Sequence, residues 1–227
     1  MSPHIEPVSW RFNVGGIMRQ SQIVSASLLA LSMVGGGAIA AQDEALNSQY
    51  TQIDEACVQS QLPDEPVYEA VCPGLGGWMV HILSGEHGSA SAYARPGSAR
   101  SEYINAPTRG LFGGFHDVIE WRLDADGAFA TIHRYIHYNT PDVVEFYEGI
   151  EEPNTLIVTA LAAEGGYMVC PVAFVDASVL PDANLIARAV ADELARGWDC
   201  GNEPVLFNDA MPDVESYFVS LGRKRAG

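Results

Sequence analysis

The chain has 227 residues and carries 12 Lys and Arg against 29 Asp and Glu, a formal charge of −17 at pH 7. A protein this acidic repels nucleic acid and anionic lipid headgroups, so nucleic acid is excluded as a partner and long-range steering favours a cationic one. Its four cysteines form an even set in which no two are spaced Cys-x-x-Cys, which removes the usual thiol-redox motif and most zinc-ribbon spacings.

Residues 18–41 read as a cleaved signal peptide. Arg19 supplies the positive start, residues 23–34 the apolar run, and Ala38-Ile39-Ala40 a small-x-small cleavage site. The run falls short of the roughly 20 apolar residues that span a bilayer, so removal near Ala41 is expected rather than anchoring. Residues 1–17 stand awkwardly ahead of such a signal and are expected to be a mis-assigned extension, with Met18 the true start. No later run is long enough for a stable membrane span, and a periplasmic or secreted location is the expectation.

One domain over 42–201 and a tail over 202–227, loosely docked or flexible, are expected to follow. Residues 42–67 are polar, acidic and punctuated by Pro63 and Pro66, and read as an extended lead-in tied down by Cys57. Short apolar runs at 78–83 and 90–95, separated by Ser84, Gly85 and Gly88, predict a hairpin. The stretch 96–114 is rich in glycine and proline and reads as a long loop of the kind that carries function. Residues 118–123 and 128–136 flank Asp124-Ala125-Asp126-Gly127, whose Asp-Gly end is a strong hairpin signal. Residues 155–162 and 167–175 repeat the arrangement around Glu164-Gly165-Gly166. Pro171 cannot donate a ladder hydrogen bond and belongs at an edge or a bulge.

Residues 181–196 predict the one helix: Pro181 suits the first turn, Asp182 the positive dipole end and Gly197 the stop. Ile186, Ala189, Val190 and Leu194 form its apolar stripe. Arg188, Asp192 and Arg196 step by four along the opposite face, where Asp192 is placed to pair with either neighbour on a solvated surface. The expected fold class is α+β, an antiparallel sheet of about six strands with one C-terminal helix packed on it, stapled by two disulfides drawn from Cys57, Cys72, Cys170 and Cys200. Four cysteines allow three connectivities. Pairing neighbours closes loops through short local structure, and a Cys170 to Cys200 bridge would pin the helix across the sheet.

The chemistry-bearing residues nominate no catalytic, cofactor-binding or metal site. His133 and His137 would lie one turn apart on a helix, but four residues along a strand span roughly 13 Å, too far for one ion. Ser84, Ser89, Ser91, Ser98 and Ser101 lie near His81, His87 and His116, with no nucleophile elbow among them. Gly74-Leu75-Gly76-Gly77 lacks the lysine of a phosphate loop and reads as a turn after Cys72. Glu120 and Arg122 alternate with Ile119, Trp121 and Leu123 as the charged outer face of a half-buried strand. Acid pairs such as Glu151-Glu152, or Glu102 with Asp117, are what chance supplies in so acidic a chain. Phe112, Phe115, Trp121, Phe129, Tyr135 and Tyr138 are expected to build core and rim.

Several blocks occur together in order: Cys57, Cys72-Pro73-Gly74 with Gly77, Ile119-Glu120-Trp121-Arg122-Leu123, Cys170 through Val175-Asp176-Ala177, Asp182-Ala183-Asn184, and Asp199-Cys200. With them the chain resembles a family of small exported, mostly uncharacterised alphaproteobacterial proteins. The resemblance covers most of 57–200. It implies a periplasmic or secreted location, supports the neighbour pairing of cysteines and brings no activity or functional residue. The chain departs from the family pattern at Pro171 and across 85–114. The functional expectation is a non-catalytic exported protein that binds a cationic protein or an envelope component, a set of broad traits shared with periplasmic inhibitors of lysozyme. The alternative is an envelope hydrolase using serines of the 96–114 loop with a histidine.

Overall fold

The computed structural model describes residues 46–63, 65–95, 97–107, 112–138, 153–161 and 169–222. The expected signal peptide, the turn expected around Glu164 and the Glu151-Glu152 pair lie outside them. The strands are β1 (Asn47–Gln52), β2 (Val58–Gln61), β3 (Tyr68–Pro73), β4 (Met79–Ser84), β5 (Ser89–Ala94), β6 (Ile104–Asn105), β7 (Phe112–Asp124), β8 (Gly127–Tyr138), β9 (Asn154–Ala160), β10 (Cys170–Asp176) and β11 (Val205–Phe207), with helices α1 (Ala183–Leu194) and α2 (Val214–Ser220). They form two sheets, not the single one expected. One runs β1-β7-β8-β9-β10-β11, antiparallel except for the parallel β10–β11 pair, and the other runs β2-β3-β4-β5-β6, antiparallel throughout.

The reason lies in β9. Ile157 on one face and Leu156, Val158 and Ala160 on the other are all buried, so both faces of this strand require a cover. The second sheet covers one face. Val80, Ile82 and Tyr93 of that sheet, with Trp78 from the turn ahead of β4, pack on Ile119, Trp121, Ile157 and Leu161, with Tyr93 and Trp121 edge to face at 6.2 Å. Helix α1 covers the other, setting Ala187, Val190 and Ala191 on Ile132, Leu156, Val158, Val172 and Val175. The buried stripe of α1 is therefore Ala183, Ala187, Val190 and Ala191, while Ile186, Ala189 and Leu194, expected at its centre, pack at its margin. Three alanines let the helix axis approach the sheet closely. Pro181 stands outside the helix, whose N-cap is Asp182, and the chain leaves through a 3-10 turn over Ala195–Gly197.

Local signals act as their chemistry requires. Asp124 pairs with Gly127 across a two-residue loop, Asp126 N–H donates to Asp124 Oδ1 at 3.0 Å, and Gly127 takes φ 114°, a region costly for any residue with a Cβ. The ladder of β9 and β10 shifts register between Pro171 and Ala173, so Pro171 sits at a bulge. The disulfides are Cys57–Cys72 and Cys170–Cys200. Two stretches carry more structure than expected. The lead-in contains β1 and β2, and the tail contains β11, which adds to the sheet edge, and α2, so that Phe207 and Val214 are buried. Asp213 caps α2 by accepting from the Ser216 N–H and hydroxyl, each at 2.7 Å, and these bonds hold its carboxyl below the usual range. The loop expected over 96–114 likewise contains β6 and the start of β7.

Candidate functional site

A cleft of about 380 Å³ opens beside residues 98–101, within the turn-rich stretch. Trp78, Tyr93, Leu161 and Val169 form its apolar wall, and exposed Arg95, Ser98 and Arg100 line it with half-buried Ser101. Trp78 is set by the turn before it: Gly74 N–H donates to Trp78 O at 2.7 Å and Trp78 N–H to Leu75 O at 3.1 Å. A Cβ on Gly74 would stand 2.8 Å from the Trp121 ring, and Gly76 takes φ 61°. The glycines therefore serve a tight turn against Trp121, as expected, and not a phosphate. On the other side Ser101 extends the β5 edge: its N–H donates to Tyr93 O at 2.9 Å and its hydroxyl accepts from Tyr93 N–H at 3.0 Å. That hydroxyl also donates to Glu102 O at 2.9 Å, so it is already committed to the backbone. Arg95 stands 5.3 Å from the Trp78 ring centroid and Arg100 stands 3.9 Å from that of Tyr103. Burial pushes the Tyr93 hydroxyl up to about 12, opposed by the Thr131 and Ser91 hydroxyls.

Beside the cleft, on the outward face of the five-stranded sheet, Glu69 of β3 accepts from the Tyr103 hydroxyl at 2.7 Å and from His81 Nδ1 at 2.9 Å, with Arg100 Nε at 3.9 Å. The Tyr103 and His81 hydrogen bonds hold the Glu69 carboxyl below its usual value, while burial and the Glu69 bond push the Tyr103 hydroxyl up to about 12. Here a histidine and a carboxylate do meet, but the third group is a phenol rather than a serine. The phenol is kept protonated and acts as a donor.

The charged face of β7 is not the sheet surface expected of it. Arg188 Nε meets Glu120 at 2.6 Å, Arg122 grips Asp192 through two bonds at 2.9 and 2.7 Å, and Arg196 Nε meets Asp124 at 2.9 Å. Two residues along a strand advance about 6.7 Å and four along a helix about 6 Å, so the two rows of charge come into step. The strand reads minus, plus, minus, and α1 with the 3-10 turn that follows it reads plus, minus, plus. Ser48 of β1 hydrogen-bonds both Glu120 and Arg122, and the Tyr50 hydroxyl accepts from Arg188 at 3.0 Å. The helix face expected to be solvated is thus zipped to the sheet, and Asp192 pairs across it instead of with its helical neighbours.

His133 and His137 share the face of β8 that meets the second sheet, and both are buried. His133 Nε2–H donates to His116 O at 2.7 Å and its ring stacks on Phe115 at 4.4 Å. Burial lowers its pKa to about 4, so the imidazole is neutral at physiological pH. His137 Nε2 hydrogen-bonds Thr155 Oγ1 at 3.1 Å. With Thr131, Thr159 and Ser91, these rings make the layer between the sheets partly polar. Among the described residues no group of three or more His, Cys, Asp or Glu is placed to hold a metal ion.

Of the nominated serines, the cleft takes in Ser98 and Ser101, and among its described lining there is neither an imidazole nor a carboxylate. His87 lines a second cavity of about 370 Å³ with Glu86 and Ser89, and its ring stacks on exposed Phe112 at 5.1 Å. Trp121, Phe129 and Tyr135 are core, and Phe112 and Tyr138 are rim, as expected. Trp78, Tyr93, Arg95 and Arg100 were not singled out from the sequence. The available signal was the scarcity of cations, against which Arg95 and Arg100 stand only five residues apart. Comparison with protein-family models, with curated proteins and with solved structures finds no match for this chain.

Proposed function

We propose that the chain is an exported protein, periplasmic or secreted, of the alphaproteobacterial kind it resembles, and that it binds a cationic protein or envelope component without converting it. Two disulfides suit an oxidising compartment. The observation that carries the binding role is how the positive charge is used. Of the six described arginines, Arg122, Arg188 and Arg196 are consumed inside the zipper. Their three carboxylate partners leave the excess of acid uncompensated on the rest of the molecule, a field that draws in a cationic partner. The hydrolase alternative has less to draw on: the serines of the cleft lack a base among its described lining residues, and Ser89 and His87 line a separate cavity with Glu86.

The test is a titration of the oxidised full chain with lysozyme as a cationic probe, read by biolayer interferometry. Binding at about 20 mM salt that weakens about tenfold or more at about 300 mM is expected, because the screening length falls between the two. Absence of binding at low salt, or affinity indifferent to salt, would remove charge as the basis of recognition.

A further inference from the structure

We infer that the cleft between Trp78 and residues 98–101 is a binding site for a small amphiphilic anion, a carboxylate carried on one aromatic ring or a short apolar chain. This goes beyond the proposed cationic partner and concerns a different surface. The molecule as a whole repels anions, yet two of its few cations flank one opening. Among the described residues Arg95 has no carboxylate within salt-bridge distance, and Arg100 has Glu69 at 3.9 Å while its Nη1–H donates to Ser101 O at 2.9 Å, which leaves its other terminal nitrogen, Nη2, for a ligand. The Glu69 oxygen nearest Arg100 is already bonded to Tyr103 and His81. Both guanidiniums lie near aromatic rings, Trp78 and Tyr103, which orient the planar forks without neutralising them.

Behind the arginines the wall changes character. Trp78, Tyr93 and Leu161 are themselves at most 7% exposed, so what they present to the cleft is a firm apolar surface already held by the core. Charge at the mouth and apolar surface behind it match a ligand with one anionic end and one apolar end. The volume, about 380 Å³, falls at the small end of ligand pockets, which suits one ring with a short chain. Arginine forks take a carboxylate bidentately, and an acidic body around a cationic mouth rejects anions that cannot also fill the apolar wall.

The experiment titrates the oxidised full chain with 3-phenylpropionate and with its neutral counterpart 3-phenylpropan-1-ol, by isothermal calorimetry at low salt. The acid is expected to bind about tenfold more tightly than the alcohol. The Arg95→Gln/Arg100→Gln double variant is expected to bind the two equally. Both side chains are exposed, and near-ultraviolet circular dichroism identical to the parent confirms that the double variant is folded. Equal affinity for acid and alcohol in the parent, failure of both to bind, or a preference that survives in the double variant each overturns the inference. Since the cleft and the acidic exterior are separate surfaces, this titration and the one with lysozyme fail independently.

Discussion

Arg122→Ala unfolds about 10 °C below the parent, a loss of about 4 kcal/mol. The side chain is 8% exposed and its guanidinium carries two bonds to Asp192 and one to Ser48. Truncation leaves the Asp192 carboxylate facing β7, whose remaining charges there, Glu120 and Asp124, are both negative. A buried ion pair adds little over an apolar pair, but removing one partner strands the other. The same reasoning predicts that Arg122→Met combined with Asp192→Leu recovers most of the loss. Arg196→Ala serves as the control. Its side chain is 40% exposed, so its pair with Asp124 is screened and the variant costs about 1 kcal/mol. Urea unfolding of the four proteins, read by circular dichroism, checks the series. A cost below about 1 kcal/mol for Arg122→Ala would mean that the zipper does not hold the helix to the sheet.

Opening both disulfides has the larger effect. Cys170–Cys200 closes a separation of 30 residues and Cys57–Cys72 one of 15, for which the loop-entropy model gives about 3.6 and about 3 kcal/mol. Their sum is comparable to the whole stability of an ordinary domain, about 5 to 15 kcal/mol. The longer bridge also fixes where the chain emerges after α1, five residues before β11 begins its parallel pairing with β10. The expected result is a urea midpoint that collapses on adding dithiothreitol, with Cys170→Ala/Cys200→Ala alone accounting for somewhat more than half. A reduced protein that keeps the oxidised midpoint would contradict this, and would also detach the cysteines from any argument about compartment.

What the residues disclosed and what they withheld follows a physical line. Hairpins announced by Asp124 to Gly127, or by glycines around 85–88, were legible because turn chemistry is local. So was the body of α1, and so was the bulge at Pro171, since a missing N–H has the same consequence in any sheet. The division into two sheets was not legible. A hairpin says which strands are neighbours and nothing about which hairpins share a sheet. Strand β1, Asn-Ser-Gln-Tyr-Thr-Gln, has no apolar period because its purpose is polar, with Ser48 and Tyr50 reaching the zipper and Thr51 accepting from Trp121 Nε1 at 2.8 Å. The zipper itself was hidden by its two periods. Glu120-Arg122-Asp124 at steps of two and Arg188-Asp192-Arg196 at steps of four each look like a solvated face, and only their complementary signs hint that they meet. His133 and His137 show the converse. A strand whose buried layer is polar reads like one whose outer face is wet, so the sequence cannot separate the two cases.

The cleft was half legible. The glycines and prolines of 96–114 announce an irregular stretch, and Ser98 and Ser101 lie in the cleft wall. Their companions come from the far side of two turns, Trp78 after β3 and Arg95 after β5, and that convergence is a property of the folded sheet alone.

Recognition of a molecule without its conversion, as proposed for this protein, is separated from hydrolysis by one measurement. Proton NMR of the oxidised full chain mixed with 3-phenylpropionate and its methyl ester follows both events in one tube. Saturation transfer to the acid, with the ester resonance constant and no methanol above a protein-free control, is the predicted result. Methanol released at a rate proportional to protein concentration would contradict the account and return the loop serines to a catalytic role.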